Sequence, residues 1–491
     1  MRRMTTMSRG TTLGILAAVG EMLALGAGHS AHAAVPGITG PAFNLVASAD
    51  YISQPDGASI YSWGYGCDAS PGGFAPFPGN CPQMQLPGPT MIVTEGDTVT
   101  VHLRNNLPPA AGNTSIVFPG FQVTTNGTGV AGLLTREAAA GADVTYTFIA
   151  TKPGTYAYHS GTQADLQIEM GLFGAIVVRP SSPPANCKSR PKNTSSLAAS
   201  AYDHPGTCYD REYMFQLSEM DSRIHDQALR QVQACTVGPC PQIVAVTEPY
   251  HPNYFLLNGR SMPDVMDTSY SPAYAHQPYN ANPHMHPGEL VLMRIIGQGR
   301  WQHPFHFHGN HARVLARDGN LILSAADNSS LAGPLLFTTP TVSGQTQDQI
   351  FTWTGKGLNW DVYNHRPTDK TPVACIPDAN GYHSVVGSSN YGEWCADHLK
   401  PIPVTPPDPT IVAIGQWYAG TPYLGLQNSG AFTGTNEPPG TLNQNPPKES
   451  GYAYMWHSHN EREITTNNVF PGGMMSMLLI DPPSWFIDET L

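Results

Sequence analysis

Three short stretches concentrate histidine in sequence that alternates like a β-strand. They are "YAYHSGTQ" with His159, "QHPFHFHGNH" with His303, His306, His308 and His311, and "MWHSHNE" with His457 and His459. Imidazole is a ligand for borderline metals such as copper and zinc. Residues two apart on a strand project to the same face. His306 and His308 therefore point one way and His303 the other. His457 and His459 share a face, and Ser458 points opposite. Two such strands side by side gather His306, His308, His457 and His459 on one face, and His303 with Ser458 on the other. A lone His-x-His is as well read as a pair of hydrogen-bonded histidines in a polar core. Several together favour a bound metal, because desolvating so many imidazoles is costly unless something binds them.

Two further patterns carry less. "NPHMHPGEL" holds His284 and His286, expected to be structural or at the surface. "GGMMSMLL" holds Met474, Met475 and Met477, for which core packing is the ordinary reading and a soft copper contact the rarer one. Glycine-rich stretches such as "GGFAPFPGN" lack the Lys-Ser/Thr of a phosphate loop, and no Gly-x-Ser-x-Gly elbow precedes a helix-like segment.

The elements that must position these histidines read as strands. "TMIVTEGDTVTVHLRNNL" and "DVTYTFIATKPGTYAYHS" alternate apolar and polar residues around tight turns, and "GLFGAIVVRP" reads as a strand buried on both faces. Residues 35–180 are thus expected to form one β-domain and 181–208 a linker. "REYMFQLSEMD" opens a second β-region over 209–485, continued by "YFLLNGRSMPDV" and "GELVLMRIIGQG". The small gaps between strands leave no room for parallel crossover helices. Within the second region, residues from about 355 to 450 form a long Pro-, Gly- and Tyr-rich insertion, expected to be partly ordered and a candidate lid.

Composition narrows the setting. The chain of 491 residues has a net charge of −12 and no basic run, which argues against a nucleic-acid partner. Arg2, Arg3 and Arg9 precede an apolar run from Leu13 to Ala27, and Ala31-His32-Ala33 offers a cleavage site, so residues 1–33 read as an export signal rather than an anchor. Glu21 interrupts that run, and no later segment is apolar enough to span a bilayer as a helix. Eight cysteines fall into local couples: Cys67 and Cys81, Cys187 and Cys208, Cys235 and Cys240, Cys375 and Cys395. Structural disulfides fit an exported chain, with neighbour pairing the simplest of roughly 105 connectivities.

From about residue 45 to 482 the chain resembles the multicopper oxidases of the cupredoxin superfamily, and more closely their two-domain, laccase-like members. "LPGPTMIVTEGDTVTVHLRNNLP" is similar to the family's opening strands, and "HPFHFHGN" matches its His-Pro-x-His-x-His-Gly motif in full. "YAYHSGTQADLQIEMGLFGAIVV" is similar to its His-Ser-His motif, and "MWHSHNE" through "GGMMSMLLI" to its closing His-Cys-His motif and final strand. The resemblance implies an all-β fold of two cupredoxin-like Greek-key β-sandwich domains, the second with a long insertion. It also implies copper as cofactor and a small-molecule or metal-ion substrate oxidised with oxygen. A homo-oligomer, in this group a trimer, would build the copper cluster between subunits. In the family a mononuclear blue copper takes electrons from substrate, and a Cys–His link passes them to a trinuclear cluster. Residue by residue, His303 matches a blue-copper ligand, His306 a type 2 ligand, and His159, His308, His457 and His459 the type 3 ligands.

The chain departs from that pattern. Val117 and Pro119 in "IVFPG" stand where the first His-x-His belongs, and Gly161 replaces the second histidine of the His-Ser-His motif. Ser458 stands at the bridging cysteine, and Glu463 falls near the next blue-copper histidine. Met474 or Met475 matches the axial methionine if residues 464–471 loop out. A hydroxyl is a poor copper ligand, so the blue site and its electron path are not expected here, while two or three imidazoles still hold a metal. Glu461 and Glu463, if turned toward the cluster, would favour zinc or manganese. His311 or His102 are spatial substitutes for the missing ligands. The sequence leaves three readings open: a copper oxidase, a copper carrier or store, and a structural protein with a vestigial site.

Overall fold

The computed structural model describes residues 35–68, 81–188, 200–359, 361, 375–386, 388, 390–398, 400, 420–424, 450–481 and 487. The expected export signal, the middle of the linker and most of the insertion lie outside the described residues.

Strict alternation builds the first sandwich. Strands Thr98–Asn105 and Asp143–Ile149 bury every second side chain, as "TVTVHLRN" and "DVTYTFI" require. They lie in a sheet ordered Ser59–Cys67, Ala42–Ser53, Thr98–Asn105, Asp143–Ile149, Thr124–Thr125. The facing sheet runs Ile38–Thr39, Met91–Thr94, Phe173–Arg179, Gly154–His159. Leu45, Trp63, Val101, Leu103, Tyr146, Tyr158, Ile176 and Val178 fill the space between.

The second sandwich repeats the plan. One sheet runs Tyr254–Leu257, Arg211–Met220, Leu290–Gly297, Thr346–Thr352, Ala312–Arg317, Asn320–Leu321. The other runs His284–Met285, Met475–Ile480, Ser450–Ser458, His303–Phe307, Thr338–Thr341, with Gly420–Leu424 added against Ser450–Ser458. Phe215, Met293, Ile295, Phe305, Phe307, Phe351, Tyr454, Trp456 and Leu478 form its core. Two mixed or antiparallel sheets face to face in each half make the expected all-β sandwich pair. All four neighbouring cysteine couples are disulfides.

One helix stands among the strands, and it is not a parallel crossover. Helix Ser222–Ala234 follows the first strand of the second sandwich directly. Asp221 caps it by accepting from the Arg223 backbone N–H at 3.1 Å. Its buried residues Ile224 and Ala228 pack on the first sandwich's core. The helix thus clasps the other half instead of crossing its own sheet.

The halves share a dry, partly ionic joint. Ala175 and Val177, on the back of a first-sandwich strand, meet Met214 and Ile296 of the second. This explains why Phe173–Arg179 is buried on both faces: one face packs the core, the other the joint. Arg294, fully buried, donates to Glu212 at 2.5 Å and to Thr155 Oγ1 at 2.9 Å, with Asp348 3.5 Å away. Tyr202 donates to Asp348 at 2.5 Å. A second polar chain crosses the joint nearby. Tyr250 donates to Glu169 of the first half at 2.8 Å and lies 3.4 Å from Glu219 of the second, whose other oxygen receives His303 at 2.9 Å.

Removing one partner of such a buried set leaves the others' charge uncompensated. Arg294→Met strands Glu212 and Asp348 and is expected to cost about 3–5 kcal/mol, read from denaturant midpoints. The second chain makes stability fall as pH rises. Burial raises the Glu169 carboxyl from the usual range to about 8. Burial pulls His303 down, but its hydrogen bonds and charge contacts with Glu219 and Glu463 win and raise it to about 9. Both groups hold a proton more tightly folded than unfolded, so their stabilisation is full below the unfolded pKa and is lost through the folded one. The metal-free protein should melt at a lower temperature at pH 9.5 than at pH 6. Glu169→Gln should remove the part of that slope below about pH 8.

Candidate metal centre

Apolar burial sets which way the histidines point. Strand His303–Phe307 pairs antiparallel with Ser450–Ser458 so that Phe305 faces Ser458, His306 faces His457 and Phe307 faces Trp456. Phe305, Phe307 and Trp456 are fully buried in the second core, and Phe305 stacks obliquely on Phe215 with centroids 5.2 Å apart. With the aromatic side turned inward, pleating sends His306, His308, His457 and His459 to the opposite face.

There the imidazoles meet. Ligand nitrogens of His306, His308 and His457 all lie within 4.8 Å of one another, and all three side chains are buried. Their ring centroids are 4.9 to 5.4 Å apart. His459 joins from the rim, half exposed, with its ring 4.8 Å from His306 and 5.6 Å from His457. Burial, then the neighbouring rings of His308, His457 and His459, lower the pKa of His306 to about 3, and burial also lowers His457. Neutral rings are the ligand form.

The tautomer of His457 follows from its backbone. Its Nδ1 lies 2.7 Å from the Ser458 carbonyl, which can only accept, so Nδ1 carries the proton and Nε2 the lone pair. That Nε2 lies 3.2 Å from His308 Nε2. Two metal–nitrogen bonds of about 2.0–2.1 Å at a near-tetrahedral angle span about 3.3 Å, so this edge fits one ion held by both rings. Thr338 Oγ1 holds His306 Nδ1 at 2.7 Å, the kind of outer contact that orients a ligand ring. Half-exposed Phe337 lies edge-on to both His306, at 5.7 Å, and His311, at 4.9 Å.

His159 stands elsewhere, at the end of the first sandwich's strand Gly154–His159. It joins no metal-capable group among the described residues. Its Nδ1 is 3.0 Å from the Ser160 carbonyl, the same backbone tie as in His457, and burial lowers its pKa. Val117 bridges it by backbone hydrogen bonds. A Cβ on Gly161 would lie 2.7 Å from Val117 Cγ1, so two of the three departing positions, Val117 and Gly161, are packed against each other.

The other face is occupied by imidazole–carboxylate contacts. His303 is fully buried, with Nδ1 2.9 Å from Glu463 and Nε2 2.9 Å from Glu219. Both ring nitrogens serve carboxylates, which leaves no lone pair for copper in this arrangement. Ser458 Oγ donates to the same Glu463 oxygen at 2.5 Å. Glu463 therefore faces away from the cluster and does not harden it, while Glu461, largely exposed, lies 3.5 Å from His459. Met474 is fully buried in the second core, and Met475 sits opposite His457 in the sheet register. His284 lies 2.7 Å from Asp481, and His286 3.2 Å from Glu289, consistent with structural roles. His102 lies 3.9 Å from Asp143 on an outer strand and His311 behind Phe337, so neither supplies the missing ligands. Cys375 and Cys395 lie beside His383 but are joined in a disulfide. Among the described residues, no helix is long and apolar enough to cross a membrane.

Glu219, Tyr250 and Glu169 were not singled out from the sequence. Glu219 in "QLSEMD", an acidic residue followed by Met220 near the end of a strand that also carries Glu212, was the available signal.

Comparison with known proteins agrees with this geometry. Multicopper oxidase family models match residues 82–183 and 247–346. The multicopper oxidase MCE of Talaromyces pinophilus is 39% identical over 98 residues, 20% of this chain and 15% of that protein. Copper resistance protein A of Pseudomonas syringae pv. tomato is 38% identical over 98 residues, again 20% and 15%. The matched segments thus span less than a fifth of these relatives. The crystal structure of blue copper oxidase from Nitrosomonas europaea superposes with a TM-score of 0.47 and 16% identity, covering 90% of this chain and 85% of that one. Residues 82–183 and 247–346, the second with its intact His-Pro-x-His-x-His-Gly run, are thus multicopper oxidase family domains.

Proposed function

We propose that this protein is an exported copper-binding oxidoreductase that works without a mononuclear blue copper. The observation that carries the reading is the buried trio His306, His308 and His457, with ligand nitrogens within 4.8 Å of one another. His459 closes the rim, and its exposure gives an entry for a small organic molecule or a metal ion. Copper bound there supplies one-electron chemistry with oxygen as the acceptor. The chain's own part is to keep four rings clustered, neutral and oriented. The Ser458 carbonyl fixes His457, Thr338 holds His306, and Phe337 screens one side. Three imidazoles favour copper or zinc over manganese, now that Glu463 is turned away. Four disulfides support an oxidising compartment, periplasmic or extracellular. A homotrimer, in which His159 of one copy completes the cluster of the next, is part of the same reading.

A second reading has a specific observation behind it. Ser458 and Glu463 occupy the place where a thiolate would carry electrons to the cluster, and neither a hydroxyl nor a carboxylate does that. On that ground the protein holds or delivers copper without turnover.

Loading the protein with Cu(II) should give bound copper, a spin-resonance signal typical of nitrogen-ligated copper, and no intense blue absorption. An intense blue band would overturn the assignment of Ser458. Oxygen uptake with a phenol or a reduced metal ion supports the oxidase, and bound copper without uptake supports the carrier. His457→Ala and His306→Ala should each weaken copper binding at least tenfold. Retention of full affinity in both variants would sink both metal readings.

A further inference from the structure

We propose that Glu219, His303, Glu463 and Ser458 form a metal-independent ionic clamp that positions the two histidine strands for the cluster on the opposite face. The proposal rests on the reading of His306, His308 and His457 as a metal site.

One imidazole is tied to both strands. On one side, Glu219 accepts from His303 Nε2 at 2.9 Å and from the backbone N–H groups of Arg300 and Trp301 at 2.6 and 2.9 Å. Those residues lead directly into His303–Phe307, so Glu219 holds the start of the strand that carries His306 and His308. Gly299 makes this approach feasible. It has φ of +72°, and a Cβ there would lie 2.5 Å from Glu219 Oε2. On the other side, Glu463 accepts from His303 Nδ1 at 2.9 Å, from Ser458 Oγ at 2.5 Å and from Asn460 Nδ2 at 2.9 Å. Its backbone is tied to Asn460 and Met474, each at 2.8 Å. Ser458 lies between His457 and His459, and Asn460 follows them. Through Ser458 and Asn460, Glu463 restrains the segment that carries the second histidine pair, and through His303 it ties that segment to the first.

The chemistry suits a clamp and not a second metal site. The two carboxylates approach opposite edges of one ring, where a doubly protonated imidazole donates to both. The cation offsets two buried acids in a place with no access to water. Beyond this shell lie Tyr250 and Glu169, which extend the clamp across the joint to the first sandwich. Apolar side chains would fill this space at a lower desolvation cost, so a retained ionic set needs a positional role.

The test reads histidine ring nitrogens by NMR in the metal-free protein. His303 should carry protons on both nitrogens at pH 7, unchanged by Zn(II) or by chelator. A neutral His303, or one that loses a ring proton to zinc, overturns the clamp. Glu463→Gln should then shift the ring signals of His457 and weaken Cu(II) binding tenfold or more, while the ring of His159 stays unmoved. Ser458→Ala, which removes only one donor, should give a smaller change in the same direction and serves if Glu463→Gln does not fold. Folded variants with wild-type His457 signals and copper affinity overturn the positioning role. If the wild-type protein holds no metal, the copper reading fails on that measurement, and the ring signals still decide the clamp.

Discussion

The alignment that sets His306 opposite His457 is the constraint on which the rest of the molecule depends. Side chains alternate along a strand, so a slip of one residue would bury the histidine face and expose Phe305, Phe307 and Trp456. Those aromatics lie in the densest part of the second core, among Phe215, Phe351 and Tyr454. Core burial and site geometry are thus a single choice made on two faces of one sheet. The cost of misplacing three large aromatic side chains is what holds four imidazoles together without a metal.

Polar groups at the joint extend that order across the molecule. Buried charges are expensive, and here each has named partners. Arg294 sits with Glu212 and Asp348, and His303 sits between Glu219 and Glu463. Helix Ser222–Ala234 adds His225, which bonds the backbone of Tyr61 and Glu169 in the other half at 2.6 and 3.1 Å. The sandwiches therefore do not meet as two smooth surfaces. Directional contacts fix how the sheet bearing the cluster sits relative to the strand bearing His159. Any function that needs both His159 and the trio depends on that relation, or on a neighbouring copy that reproduces it.

One substitution reorganises the chemistry around the sheet's inner face. Where the family resemblance puts a thiolate, Ser458 donates a short hydrogen bond to Glu463, and Glu463 holds an imidazole that no longer has a lone pair to give. At this place the chain holds hard, proton-holding groups. The clustered imidazoles lie on the other face because period-two geometry separates the two sides of the strands. Loss on the first sandwich is equally coordinated: Val117 fills the room that a side chain at Gly161 would need.

Much of this was legible in the amino-acid order. The strands follow from local periodicity, the neighbouring disulfides from the simplest of the possible pairings, and the two sandwiches and the meeting of His306, His308 and His457 from the family resemblance. Even the pairing of His303 with Ser458 on one face was readable, because alternation dictates it. Helix Ser222–Ala234 was readable in principle from its Asp221 cap and its Ile224, Ala228 and Val232 spacing, but strand-rich surroundings hid it. Tertiary structure alone decided where Glu463 points, that Glu219 reaches His303 from a strand 84 residues away, and that Tyr250 and Glu169 continue the chain into the other half. Those contacts join segments distant in sequence, and nothing in a local pattern encodes which buried acid will meet which buried base. The sequence by itself determined which faces the ligands share; only the packed structure determined that one face gathers a metal-ready trio and the other a proton-holding clamp.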